Sequence, residues 1–300
     1  NSVINTPEYR AVFEMFDEKL SELYTEFSLD ERIYYKLCAY TNTKDFSLQL
    51  PLNRQTVFDT LTSMEENGIN LNDEDKEKLY KNATERSTIC SEFNSNLMNA
   101  QLHSFIVLSE EQLNGLPERA IQIAHTCEVV KEENGVKFYK IPFSKGLNSD
   151  VMTYCVDEKA RQTCYEENLK IGTVGEWDNR TIIKTIADNY QEKAKIIGFK
   201  TYSDMKMRKY MAKNSEVALK FIDSIANKAF PFAKNEQQLI MEYGEKKLGR
   251  KLQVWDLGFV KNMYATELFQ FEPETVRQYF TVPHMMKGFF DIFETLYKIK

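Results

Sequence analysis

Residues 72–102 read NDEDKEKLYKNATERSTICSEFNSNLMNAQL, and this stretch decides the fold class. Asn72 is suited to cap a helix, and Asp73-Glu74-Asp75 suits the positive end of the helix dipole. Neither proline nor glycine interrupts the run from Asp73 to Leu102. Leu79, Arg86, Cys90, Phe93 and Leu97 recur at steps of three, four and seven, the spacing of one helix face. The predicted helix runs to about Leu102, far beyond the roughly 10–14 residues usual in globular proteins. Such length fits a helical wall better than a compact bundle.

Helical periodicity dominates outward from there. From Arg54, Val57, Phe58, Leu61 and Met64 share a face, and Gly68 stands where a C-terminal cap belongs. Helices are expected again over Val151–Asn168 and after Asp178 or Asn179, the latter turning Ile182, Ile183, Ile186, Tyr190 and Ala194 inward and stopping at Gly198. Ser215 is read as the cap of a further helix carrying Val217, Phe221, Ile225 and Ala229. Pro231 should kink or end it before a stretch through Leu239 and Tyr243. Pro273 suits a first helical position, with Val276 and Phe280 behind it. Near the end, Phe289, Phe290, Phe293, Leu296 and Tyr297 form an apolar stripe that calls for a partner surface, and both chain ends read as cuts in a longer protein. The one convincing strand signal is Glu128–Ile141, where Asn134-Gly135 between β-formers marks a hairpin. The loop at 142–150 is the best internal boundary. The class is mainly α with a small β-hairpin.

Composition narrows the function. The 300 residues carry 39 Lys+Arg against 45 Asp+Glu, a net charge of −6, which argues against a dedicated nucleic-acid binder. No window approaches the ~18 apolar residues of a membrane span. Cys38, Cys90, Cys127, Cys155 and Cys164 are odd in number and widely spaced, so reduced, buried thiols are expected rather than a disulfide framework or zinc ribbon. His103, His125 and His284 are too scattered for a self-contained zinc site.

The search for chemistry returns little. No G-x-S-x-G, P-loop, EF-hand loop or H-E-x-x-H is present. Ile171-Gly172-Thr173-Val174-Gly175 lacks the strand-before, helix-after setting of a phosphate loop. Asp73-Glu74-Asp75 and Glu132-Glu133 have no apolar neighbours to split their pKa values, so both are read as solvated charge. Trp177-Asp178 and Trp255-Asp256 each set an aromatic beside a carboxylate at a loop-to-helix transition, read as an N-capping Asp with a docked Trp.

Other blocks carry more: Leu113-Asn114-Gly115-Leu116-Pro117-Glu118, Val151-Met152-Thr153-Tyr154-Cys155, Trp177-Asp178-Asn179, Ile197-Gly198-Phe199-Lys200-Thr201-Tyr202, Met211-Ala212-Lys213 and Trp255-Asp256. Together they resemble the oligopeptidase A and thimet oligopeptidase family of zinc metallopeptidases. The resemblance is colinear from the Asn1–Glu8 segment to Leu296-Tyr297-Lys298-Ile299, and looks better toward oligopeptidase A than toward the mitochondrial intermediate peptidase branch. Phe259-Val260 stands where two aromatics commonly follow the second Trp-Asp. The resemblance implies long helices forming a wall of a deep-channel peptidase fold, with 1–300 a partial region lacking the catalytic zinc domain. The family's H-E-x-x-H and later glutamate ligand follow the part resembled, so no catalytic, cofactor-binding or metal residue is assigned to this chain. The implied function is part of a zinc-dependent oligopeptidase acting on short peptides, inactive as these 300 residues alone. The alternative is an inactive or split subunit serving as a structural or interaction component of a larger assembly. Implied partners are short peptides and a complementary catalytic half or larger complex; the implied place is mitochondrial matrix or cytoplasm.

Overall fold

The computed structural model describes residues 12, 16, 19, 20, 23, 24, 26–271 and 273–298. The Asn1–Glu8 segment of the resemblance and its last residue, Ile299, lie outside them. In chain order the elements are α1 (Glu31–Thr41), α2 (Lys44–Leu48), α3 (Pro51–Glu66), α4 (Asp73–His103), β1 (Phe105–Ser109), α5 (Glu118–His125), β2 (Glu128–Glu133) and β3 (Val136–Pro142). Then come α6 (Asn148–Tyr154), α7 (Glu158–Lys170), α8 (Arg180–Ile197), α9 (Tyr202–Met207), α10 (Ser215–Leu248), α11 (Leu257–Phe269), α12 (Pro273–Arg277) and α13 (Val282–Tyr297). The molecule is mainly α, as the periodicity leads one to expect. The chain divides into two compact units, residues 1–94 with 180–226 and residues 95–179 with 227–300.

In the first unit, α3 begins at Pro51, three residues before Arg54, because proline presets the first helical φ and needs no amide partner there. Leu61 and Met64 are buried with Tyr34 of α1 and with Ile69, while Phe58 is exposed. Gly68 ends α3 at φ +89°, and the Ile69 amide reaches back to the Met64 carbonyl at 3.1 Å. Asn72 caps α4 through the Asp75 amide at 2.9 Å. Inside the unit, Asn82 and Asn189 each donate a side-chain amide to the other's backbone carbonyl, both at 3.0 Å. Arg86 donates to both Asn side-chain oxygens, so these buried polar groups are mutually satisfied.

Two expectations for this unit need correction. Ile183 is exposed although its spacing of eleven residues puts it on the same helix face as Ala194; burial on α8 reaches only Asn189 and Ala194. Asn214, not Ser215, supplies the cap of α10, accepting from the Val217 amide at 2.9 Å. Downstream, Pro231 lies within α10 and does not end it. Proline removes one amide donor there, and the flanking residues keep helical geometry.

The second unit holds the sheet. The hairpin β2–β3 turns at Asn134 and Gly135 with φ of 52° and 79°, both left-handed as a type I′ turn requires. A third strand, β1, pairs antiparallel with β3 and places the strand order as β1-β3-β2. Sequence reasoning misses β1 because Phe105–Ser109 is a short apolar run directly after a helix, without turn signals or alternation. One face of the sheet packs Ile106, Leu108, Tyr139 and Ile141 against Ala120 and Ala124 of α5, Val151 of α6, and Ala160 and Cys164 of α7. The helical stretch expected over 151–168 is two helices, broken at Cys155, Val156 and Asp157, where the Asp157 carboxylate caps α7. In α13, Phe289, Phe293 and Tyr297 stack on one another at centroid distances of 4.3 and 5.3 Å and remain exposed.

Candidate binding site

A cavity of about 690 Å³ lies within the second unit, and two of the resembling blocks contribute to its walls. Gly115 comes from the Leu113–Glu118 block and Tyr154 from the Val151–Cys155 block; Phe259 follows Trp255-Asp256. Leu113 and Leu116 anchor the first block in the core, which leaves Gly115 between them at φ +89°. A Cβ there would stand 2.5 Å from the Tyr154 carbonyl oxygen and 2.8 Å from a Val156 methyl. Only glycine allows this approach, and it brings the start of α5 against the end of α6. Tyr154, Phe259 and Met263 give the cavity an apolar floor.

The rim is charged but internally paired. Arg119 of α5 grips Asp150 of α6 with two hydrogen bonds of 2.9 and 2.6 Å and reaches Glu274 of α12 at 3.4 Å. Arg277 binds Glu274 through two contacts of 3.0 Å, and together these guanidinium groups hold the Glu274 carboxyl below its ordinary range. Lys247 of α10 pairs with Glu267 of α11 at 2.8 Å. Glu267 also accepts from the Tyr243 hydroxyl, whose pKa burial and this carboxylate push up to about 12. Glu118 differs, its partner being the neutral Gln122 amide at 3.1 Å.

Below the floor lies an ionic clamp whose centre, Asp256 with Arg161, is fully buried, while Arg250 at its edge is 30% exposed. Asp256, 0% exposed, accepts from Arg161 at 2.6 Å and from Arg250 at 2.6 and 3.0 Å. The Gln253 amide adds a fourth bond at 2.9 Å. Arg161, 1% exposed, also donates to the Cys155 and Val156 carbonyls and places its guanidinium 4.4 Å from the Phe259 ring centroid. Burial alone would raise the Asp256 pKa, but Arg250 and Arg161 outweigh it and hold the carboxyl at about 2. The clamp therefore ties the α6–α7 break to the start of α11 and fixes Phe259 in the cavity floor.

Other residues weighed in the sequence have structural surroundings. Asp73, Glu74 and Asp75 occupy the first turn of α4, and Glu132-Glu133 ends the exposed strand β2. Trp177 stacks on His103 at 4.6 Å. Asp256 is not a simple cap but the centre of the clamp, closing a capping box with Gln253 on the way. His125 meets Glu110 at 3.0 Å and lies beside the Tyr139 ring, and His284 sits on α13. Among the described residues, no group of three or more His, Cys, Asp or Glu could hold a metal ion, so the residues present do not fit a zinc site. The five cysteines are unpaired, and burial pushes the Cys164 thiol up to about 12.

The sequence profile of Peptidase family M3 matches residues 151–300, half of the chain. The chain belongs to this family. It is 28% identical over 307 residues to Oligopeptidase A of Haemophilus influenzae, covering 100% of the chain and 45% of that protein. Oligopeptidase A of Escherichia coli is 27% identical over 309 residues with the same coverage. Saccharolysin of Saccharomyces cerevisiae is 23% identical over 241 residues, 78% of the chain and 33% of that protein. The chain thus spans less than half the length of these relatives. The resemblance in the sequence and the family assignment agree, and the cavity adds where two of the blocks meet. Arg119, Asp150, Arg161 and Glu274 escape sequence reasoning, since paired charges look like any surface charge until the fold brings them together. Gly115 in Leu-Asn-Gly-Leu-Pro-Glu is the signal that could have located the site.

Proposed function

We propose that this chain is part of a zinc-dependent oligopeptidase that hydrolyses short peptides, and that its residues form a wall of the substrate channel. The observation that carries the reading is the cavity, where blocks distant in sequence converge on an apolar floor with a rim whose cations are all paired. Such a concave, mostly apolar surface with a few polar groups on its rim is of the kind that receives a short peptide. The names of the relatives, Oligopeptidase A above all, favour the same activity. In this reading residues 1–300 are one partial helical region of the complete enzyme, and its zinc ligands lie in other parts of its sequence. No step of the hydrolysis is assigned to residues named above. Among the described residues no helix is long and apolar enough to cross a membrane. Placement in cytoplasm or mitochondrial matrix is consistent with relatives named as cytosolic and as chloroplastic/mitochondrial oligopeptidases of Arabidopsis thaliana.

The test is direct. The purified 300-residue chain is expected to bind no stoichiometric zinc by elemental analysis and to leave a quenched fluorescent peptide uncut. A protein of full family length that carries the chain should cut it and lose the activity to a chelator. One zinc per chain tracking peptidase activity in the 300 residues alone would sink the partial-enzyme reading, and a full-length protein that cuts nothing would favour the scaffold alternative.

A further inference from the structure

The cavity beside α5 has a chemical asymmetry that its size and apolar floor do not explain. Its three cations, Arg119, Lys247 and Arg277, are each committed to a carboxylate of Asp150, Glu267 or Glu274. An anionic ligand would have to break one of these pairs to be recognised. Glu118 stands apart, with a neutral partner, at the exposed start of α5 on the same rim. Counting the rim and its partners, three positive groups face four negative ones, and the surplus charge sits at Glu118. Asn262 and Thr266 add neutral hydrogen-bonding groups to the same lining as Tyr154, Phe259 and Met263. At about 690 Å³ the space is within the usual range of ligand sites and exceeds what one side chain fills.

We infer that this cavity binds the amino-terminal end of a short peptide, an apolar first side chain lying on the Phe259–Met263 floor and the free α-amino group facing Glu118. The inference takes peptide as ligand from the oligopeptidase reading but requires no hydrolysis. An aromatic first residue gains most, because a flat ring covers Phe259 and Met263 together and stacks at low entropic cost. The amino group contributes through an exposed carboxylate, so its share is modest and sensitive to salt.

Methyl-labelled methionine NMR tests the site. The Met263 signal is assigned from a Met263→Leu variant and followed during titration with Phe-Ala-Ala-amide, its N-acetylated form and Ala-Ala-Ala-amide. Phe-Ala-Ala-amide should shift the Met263 methyl, and the N-acetylated form should need roughly 3-fold more peptide. Ala-Ala-Ala-amide should need over ~10-fold more, having no side chain for the floor. Glu118→Gln should erase the difference between free and acetylated peptides, and Thr266→Trp should block all binding while the other methionine signals stay in place. No shift at Met263, equal binding of free and acetylated peptide, or unchanged binding in Thr266→Trp would each overturn the assignment. Because binding is read without cleavage, a hydrolytically active full-length protein that fails this titration sinks the site alone. A chain that passes it without cleavage in any context keeps the site and loses the oligopeptidase reading.

Discussion

Replacing Asp256 with Asn should lower the stability of the second unit by about 3–5 kcal/mol, the usual cost of removing one partner from a buried ion pair. The carboxylate is wholly enclosed and takes hydrogen bonds from two guanidinium groups and one amide. Without it Arg161, itself 1% exposed, keeps its charge with the Cys155 and Val156 carbonyls alone. Urea denaturation followed by the fluorescence of neighbouring Trp255 reads the loss. Arg161→Met combined with Asp256→Leu should recover much of it, since the one cation left, Arg250, is 30% exposed and keeps Glu158 at 3.0 Å. The pH dependence has a definite sign. Asp256 is held at about 2 in the folded chain and returns to about 3.9 when unfolded. The unfolded state takes up the proton first as pH falls, so the contribution is whole above about pH 4 and is lost between about 4 and 2. The gap between wild type and Asp256→Asn should therefore be widest near neutrality and narrow across that window. A variant as stable as wild type at pH 7 would show that the clamp holds nothing together.

Gly115→Ala should cost about 3 kcal/mol or more, from two sources that act together. A non-glycine residue at φ +89° carries strain of roughly 1–3 kcal/mol. Its Cβ must also displace the Tyr154 backbone oxygen from 2.5 Å, and overpacking of this kind adds roughly 1–3 kcal/mol. Gly135 provides the comparison, with φ +79° but nothing within 4 Å of an added Cβ. Gly135→Ala should therefore lose only the strain, roughly 1–3 kcal/mol. Denaturation midpoints of the two variants measure the difference. Equal losses would mean that the close approach of α5 to α6 does not depend on the missing side chain.

Much of the fold is legible in the sequence where a local signal is strong. The Asn72 cap, the uninterrupted run to His103, the Asn134-Gly135 turn and the stop at Gly198 each state their own geometry. Strand β1 is hidden because its identity comes from pairing with β3, whose partner positions lie 29 to 37 residues away and which no local pattern announces. Pro231 misleads in the opposite sense, as a strong local breaker that a long helix absorbs. The site is legible only through family resemblance and one glycine. Arg161 and Asp256 are 95 positions apart, and their burial is a product of the fold, not of either neighbourhood. Resemblance marks the blocks that matter without saying that Gly115, Tyr154 and Phe259 share a cavity.

The two compact units are each drawn from two separated stretches of the chain, and this sets an order of events during synthesis. When residue 94 leaves the ribosome, the first unit still lacks α8 and α9, including the Asn189 that satisfies Asn82. Residues 95–179, by contrast, carry all three strands, α5, α6 and α7 in one unbroken segment, with most of their apolar core among themselves. The sheet segment can thus consolidate while the unit begun before it waits for material made later, an inversion of the amino-terminal-first rule for nascent chains. Ribosome-stalled chains ending near residue 215, where the exit tunnel still covers about 30 residues, should show protected amides in β1 and β3 before α3 and α4 gain theirs.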